Sequence, residues 1–242
     1  MQESYEERYR SRPFENELVR YRKEMIVEQI AKYQPKSLLE IGCGLEPLFL
    51  NYQDYTSYQL VEADPAFAAN ARSLAKDDGR IKISEGYFEE VAETLRPQTY
   101  DFIVCSSLLH VVPDPKLLLG AIKKVMSNGS IVHFNVPNAN SFHRLLAVEM
   151  GLIESPTEFS ELNRRFDHHN VFTTDTFQKI VEEAGLSIVA KGGNYIKPFT
   201  HQQMQAMLDQ NIIDQRVLDG LEKMTKYFPE YASEIYILAK LA

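Results

Sequence analysis

No tryptophan occurs in the chain, and cysteine occurs only twice, at Cys43 and Cys105. Two widely separated thiols supply neither a disulfide framework nor the paired spacing of a zinc site. Positive charge is in deficit: 26 Lys and Arg face 34 Asp and Glu, for a formal charge of −8. A general grip on nucleic acid needs a basic face, so that partner class is set aside. The local pair Arg164-Arg165 reads as a solvated helix face. No apolar run reaches the roughly 20 residues that span a bilayer, and the polar first residues do not form a signal peptide. These absences point to a cytoplasmic protein with no membrane partner. Repeats and low-complexity tracts are missing as well. What remains, 242 residues that are 44% hydrophobic and 25% charged, suits one α/β domain with a sizeable core.

One further absence is informative. The run Ser37-Leu38-Leu39-Glu40-Ile41-Gly42-Cys43-Gly44-Leu45-Glu46-Pro47 starts as a buried strand, breaks into two glycines and restarts at a proline suited to a first helical turn. Strand, glycine turn and helix build a ligand site beyond the carboxyl end of the strand. The dinucleotide fingerprint needs a third glycine where Pro47 stands, which disfavours a pyrophosphate cradle. An acid follows the next strand in Gln59-Leu60-Val61-Glu62-Ala63-Asp64-Pro65. Glu62 there is placed to accept from two ribose hydroxyls. Glu40, before the glycines, would repel a phosphate and attract an ammonium. A ligand with a ribose, a positive charge and no phosphate satisfies both.

With Tyr100-Asp101-Phe102-Ile103-Val104-Cys105-Ser106-Ser107-Leu108-Leu109-His110 and Val111-Val112-Pro113-Asp114-Pro115 added, these segments resemble the nucleotide-site motifs of class I S-adenosylmethionine-dependent methyltransferases. The resemblance implies a Rossmann-like α/β fold: a seven-stranded sheet, mostly parallel with an antiparallel last strand, and helices on both faces. It implies S-adenosylmethionine as cofactor and assigns Glu40, Gly42, Cys43, Gly44, Glu62, Ala63, Tyr87, Phe88 and Ser106 to its binding. Two positions depart from the family. Tyr87 stands where an acid usually meets the adenine amino group, and Ser127-Asn128-Gly129 replaces a Pro-Gly-Gly.

Taken in order, residues 1–34 form an N-terminal helical segment, with an amphipathic helix over 15–33. By resemblance the segment is a lid through which Tyr9 or Arg12 reaches the cofactor; packing of the helix on the sheet is the equal alternative. Residues 35–242 form the core. Strands are expected at Ser37–Ile41, Tyr58–Val61, Arg80–Ser84, Tyr100–Cys105, Ser130–Asn135, Leu186–Lys191 and Glu234–Lys240. Helices are expected over Pro47–Gln53, Pro65–Lys76 with Asp64 as cap, from Asp114-Pro115 to Met126, and from Thr174 to Gly185. Gly192-Gly193-Asn194-Tyr195 reads as a turn. Residues 138–170 read as an insertion on the acceptor side, and 200–226 as two polar helices.

Methyl transfer from a sulfonium is an in-line displacement that rests mainly on alignment. A hydroxyl acceptor gains from a base, and histidine titrates where a base is useful. His168 is the first candidate, with His169 and His143 behind it; the Asp167-His168-His169-Asn170 cluster serves equally well as a loop staple. Adjacent residues point apart, so this cluster is not expected to hold a metal. The expected function is therefore methylation of a small-molecule acceptor, most simply a hydroxyl of a sugar, quinone or secondary metabolite. A non-catalytic S-adenosylmethionine-binding scaffold and a nicotinamide-dependent dehydrogenase are the competing readings.

Overall fold

The computed structural model describes residues 13–96, 98–159 and 168–242. Tyr9, Arg12, Arg164, Arg165 and Asp167 lie outside the described residues. Helix α1, Pro13–Tyr33, buries Phe14, Leu18, Tyr21, Ile26 and Ile30, a stripe that turns with the helical period. Strands β1 (Ser37–Ile41), β2 (Ser57–Glu62) and β4 (Phe102–Ser106) are short apolar runs buried on both faces, as parallel strands between helical layers must be. Helix α2 (Pro65–Ala75) joins β2 to β3 (Ile81–Glu85), and α3 (Phe88–Leu95) joins β3 to β4. Helix α4 (Pro115–Lys124) leads to β5 (Ile131–Pro137). After α5 (Phe142–Glu149) come α6 (Thr174–Glu183), β6 (Leu186–Asn194), α7 (His201–Asp209), α8 (Gln215–Lys223) and β7 (Glu234–Leu241).

The strands form one sheet in the order β3-β2-β1-β4-β5-β7-β6. β7 runs antiparallel to both β5 and β6, and the other pairs are parallel. The expected Rossmann-like sheet with an antiparallel last strand is thus present. Alternation along β1 sends Leu39 and Ile41 into the core of α3, α4 and α6, and Leu38 into the core of α1 and α2. A third, smaller core joins Phe14, Leu18 and Tyr21 of α1 to Tyr195, Met204 and Leu218. The N-terminal helix therefore packs with the C-terminal helices as one cap. The strand order reverses between β1 and β4, which opens a crevice at their carboxyl ends.

Several expectations need correction. Pro47–Gln53 is no full helix: a single 3-10 turn covers Leu48–Leu50, with Pro47 preceding it. Its leading donor, Leu48 N, is held by the Glu40 carboxylate instead of a helical carbonyl. Phe88–Leu95 is a helix that the motif reading left unassigned; it buries Phe88, Ala92 and Leu95. Gly192-Gly193-Asn194 extends β6 and is no turn. A Cβ on Gly193 would come 2.4 Å from Ala232 Cβ and from Pro229 O, so glycine there serves close packing. The cap of α6 is Thr173, in a reciprocal box with Thr176, one residue before the expected Thr174. Among the described residues no helix is long and apolar enough to cross a membrane.

Candidate active site

The crevice is organised by two carboxylates that leave the ends of β1 and β2. Glu62 is 6% exposed. Its Oε2 accepts from Cys43 N at 2.8 Å and Gly44 N at 3.2 Å, and its Oε1 from Asp64 N at 3.0 Å. Gly42 N donates to Val61 O at 2.9 Å. Gly42 and Gly44 sit at φ +73° and +59°, a left-handed region that glycine enters without cost. A Cβ on Gly44 would meet nothing within 4 Å, so its requirement is conformational. Asp64 then caps α2 through Ala66 N and Phe67 N.

Glu40 is buried and accepts from Tyr58 Oη at 2.5 Å and Leu48 N at 3.1 Å. Desolvation pushes its carboxyl up to about 7, partly offset by those two bonds. The Cys43 thiol is pushed up as well, by burial and by the neighbouring Glu40 and Glu62. It stays protonated, so Cys43 contributes its backbone and not a nucleophile.

These bonds bear on which cofactor fits. The loop amides that would cradle a pyrophosphate already donate to Glu62. What faces the crevice is an acid, a glycine bend and the end of β4, where Ser107 takes φ +52° and its Oγ accepts from Asn135 Nδ2. That donor and acceptor set fits a ribose and a cation without phosphate. S-adenosylmethionine is such a molecule.

The crevice opens into a cavity of about 780 Å³, within the range of small-molecule sites. Glu40, Gly42, Cys43, Gly44, Glu62, Ala63, Tyr87 and Ser106 line it, and so do His143 and His168. Two sequence candidates fall outside. Phe88 is 3% exposed and packs in the sheet core. His169 has an exposed side chain, and its backbone N donates to His110 O at 2.9 Å. Tyr87 is 66% exposed at the start of α3.

In the same cavity lining the imidazole of His168 meets His110 edge-on, with 4.3 Å between ring centres. His110 is 6% exposed, and its Nδ1 has no hydrogen-bond partner. Burial, then the neighbouring His168 and Arg22, hold its pKa well below the usual histidine range. His143 is held down to about 2 by burial and by Lys197, His201 and Arg144. Among the described residues no three His, Cys, Asp or Glu side chains are grouped to hold a metal.

Sequence reading missed five charged or titratable residues of the cavity lining: Glu15, Arg22, Lys197, His201 and Glu234. Arg22 of α1 forks onto Glu234 at the start of β7, with Nε 2.9 Å from both carboxylate oxygens, and also meets Glu15. Lys197 Nζ lies 3.0 Å from His201 Nδ1, and His201 Nε2 lies 2.9 Å from Glu15. A lysine can only donate, so His201 Nδ1 accepts and its Nε2 carries the hydrogen toward Glu15. No local pattern announces the pairs Arg22–Glu234 and His201–Glu15, because they span 212 and 186 positions.

Comparison with known proteins agrees with this geometry. A family model described as a methyltransferase domain matches residues 14–191. The ubiquinone biosynthesis O-methyltransferase of Photobacterium profundum is 26% identical over 194 residues, which covers 77% of this chain and 67% of the relative. The protein of the same name from Acinetobacter baylyi is 24% identical over 195 residues, 76% and 78% of the two chains. Among solved structures, the N-methyltransferase NodS of Bradyrhizobium japonicum, crystallised with S-adenosyl-L-homocysteine, superposes with a TM-score of 0.58. It is 14% identical, over 97% of this chain and 90% of NodS. Glycine bend, Glu62 and sheet order thus meet a domain match over most of the chain: it belongs to the methyltransferase-domain family and is an S-adenosylmethionine-dependent methyltransferase.

Proposed function

We propose that the chain methylates a hydroxyl of a small molecule and that His168 is its general base. The observation that carries this reading is one cavity lined both by the glycine bend with Glu62 and by the His168 imidazole. The O-methyltransferase names of the curated relatives support a hydroxyl acceptor. A cavity whose lining includes His143, His168 and His201 besides the glycine bend weighs against a scaffold that merely binds cofactor. Loop amides occupied by Glu62 weigh against a dinucleotide.

When bound, S-adenosylmethionine supplies an electrophilic methyl group on a sulfonium. Everything else falls to the chain. Glu62 offers its remaining lone pairs to the ribose hydroxyls, and the carbonyls after β4, at Ser106-Ser107-Leu108, face the ammonium. Alignment by the cavity walls supplies on the order of 7–11 kcal/mol of the barrier reduction. His168 takes the hydroxyl proton as the acceptor oxygen attacks, which adds about 10²–10⁴ in rate. His143 is the weaker candidate for that proton: an imidazole held near 2 has little basicity to offer.

The test is His168→Ala, assayed for methyl transfer to a phenol and polyol panel alongside calorimetric titration with S-adenosylhomocysteine. Turnover should fall by about 10²–10⁴ with cofactor affinity intact. Equal turnover in variant and wild type would remove His168 as the base.

A further inference from the structure

Strand β5 lies inside the sheet between β4 and β7 and is buried along almost its whole length. Such a strand should be apolar throughout. It carries His133 and Asn135 instead, both fully buried. Standing two positions apart, they face the same side of the sheet, the side that meets Gln29 of α1. Buried polar groups cost stability unless they are bonded, and these two are bonded into one chain.

That chain can be followed atom by atom. Asn135 Nδ2 lies 3.0 Å from Ser107 Oγ and 3.3 Å from Glu234 Oε2. A carboxylate only accepts, so the amide nitrogen faces this side and Ser107 Oγ accepts from it as well. Asn135 Oδ1 then faces His133 Nε2 at 3.1 Å, and that nitrogen carries the ring hydrogen. Burial holds the His133 pKa down to about 4, so the ring is neutral and its Nδ1 is an acceptor. The Gln29 amide stands 2.7 Å from Nδ1; a neutral ring takes its nitrogen there, a half-turn of the amide. Glu234, on the other side, is held by Arg22.

The relay ends at Ser107, which lines the cavity, as His133 and Asn135 do not. Its φ of +52° is one that a residue with a Cβ enters at a cost. Its backbone N is already bonded to Asn135 O at 3.0 Å. Its hydroxyl oxygen is fixed as an acceptor toward Asn135, and among the described residues nothing accepts its hydrogen. A strained serine at the carboxyl end of β4, aimed by buried polar groups that never reach the cavity, is shaped by the site and not by folding.

We propose that Ser107 donates this hydrogen to the carboxylate of the bound cofactor, and that Asn135 and His133 are positioning residues that aim it. The proposal rests on the cofactor placement given above, with the amino-acid arm at the end of β4. It needs neither a hydroxyl acceptor nor His168 as base. Within that arm the ammonium has only hydrogens to offer, and the carboxylate is the group that accepts.

The test is calorimetric titration of the full chain with S-adenosylhomocysteine and with methylthioadenosine, which lacks the amino-acid arm. Ser107→Ala should weaken S-adenosylhomocysteine about 10- to 100-fold, the span of one charge-assisted hydrogen bond, and leave methylthioadenosine within about twofold. Ser107→Gly guards against a folding effect. Glycine relieves the positive φ, so this variant should be at least as stable to heat as Ser107→Ala and show the same loss of affinity. Asn135→Ala and His133→Phe should each weaken S-adenosylhomocysteine, and should add nothing in the Ser107→Ala background. No loss in Ser107→Ala, or equal losses for the two ligands, overturns the carboxylate contact. Losses that add in the double variants overturn the relay. A wrong cofactor placement shows separately, as unchanged affinity of Glu62→Ala for both ligands.

Discussion

At the cofactor end of the cavity, the fixing hydrogen bonds run from Cys43 and Gly44 to Glu62 and from Leu48 and Tyr58 to Glu40. None of them spans more than 19 positions. Elsewhere in the cavity lining, Arg22 reaches Glu234 across 212 positions and His201 reaches Glu15 across 186. The first set forms as soon as β1 and β2 pair. The second exists only when both chain ends have docked. A local motif can therefore carry one cofactor through many proteins, whereas a wall built from such distant pairs can be rebuilt by changes far apart in sequence.

The largest effect on this comparison should come from Arg22→Met. Arg22 and Glu234 are 12% and 7% exposed, and Glu15 is 13% exposed. Removing the cation takes the guanidinium from two nearly buried carboxylates, of which Glu15 keeps His201, and breaking such a pair costs about 3–5 kcal/mol. Urea denaturation should show that loss, and Glu234→Gln in the same chain should recover part of it. A single variant as stable as wild type would mean that apolar packing of Phe14, Leu18 and Tyr21 alone holds α1 in place.

Glu62→Ala attacks the other end. It removes the acceptor of three backbone amides and, on the proposed reading, of the ribose hydroxyls. Two lost charge-assisted bonds weaken cofactor binding by about 2–4 kcal/mol. Calorimetric titration with S-adenosylhomocysteine reads this directly. Unchanged affinity would reduce Glu62 to a loop brace, a role that its bonds to Cys43, Gly44 and Asp64 already give it.

The same contrast explains what could be read in advance. The strands were legible because parallel strands must be apolar on both faces. The bend was legible because two glycines and a following acid are contiguous. Asp64 and Asp114 announced their helices by standing before a proline. Helix α3 escaped because its eight residues follow a glycine and look like loop chemistry. The Pro47 helix was overread because a proline start says nothing of where a helix stops. At the acceptor end, His143 and His168 were visible as residue types. Arg22, Glu234 and the His201–Glu15 contact were not, since only the packing of α1 against the C-terminal elements brings them together. Phe88 was credited to the cofactor, but its ring completes the core beside Ala92.

The smallest effect, and the one that tests whether the cofactor end is as settled as its short-range bonds suggest, comes from Glu40→Gln. Burial pushes the Glu40 carboxyl up to about 7, against about 4.3 in an unfolded chain. A raised value means that the folded state binds the proton more tightly. Its stabilising contribution is complete below about 4.3, is lost as pH rises toward 7, and stays lost above that. At about 1.4 kcal/mol per pH unit, the loss between pH 5 and pH 8 reaches at most about 3 kcal/mol. Glutamine keeps an acceptor for Leu48 N and Tyr58 Oη and has no proton to lose. Wild type and variant should therefore be similar in stability at pH 5 and diverge by pH 8, with the variant the more stable. Parallel curves would show that the bonds from Tyr58 and Leu48 hold the ionised carboxylate without strain. Divergence would show that the end built from local bonds also carries a buried charge retained for the site and not for the fold.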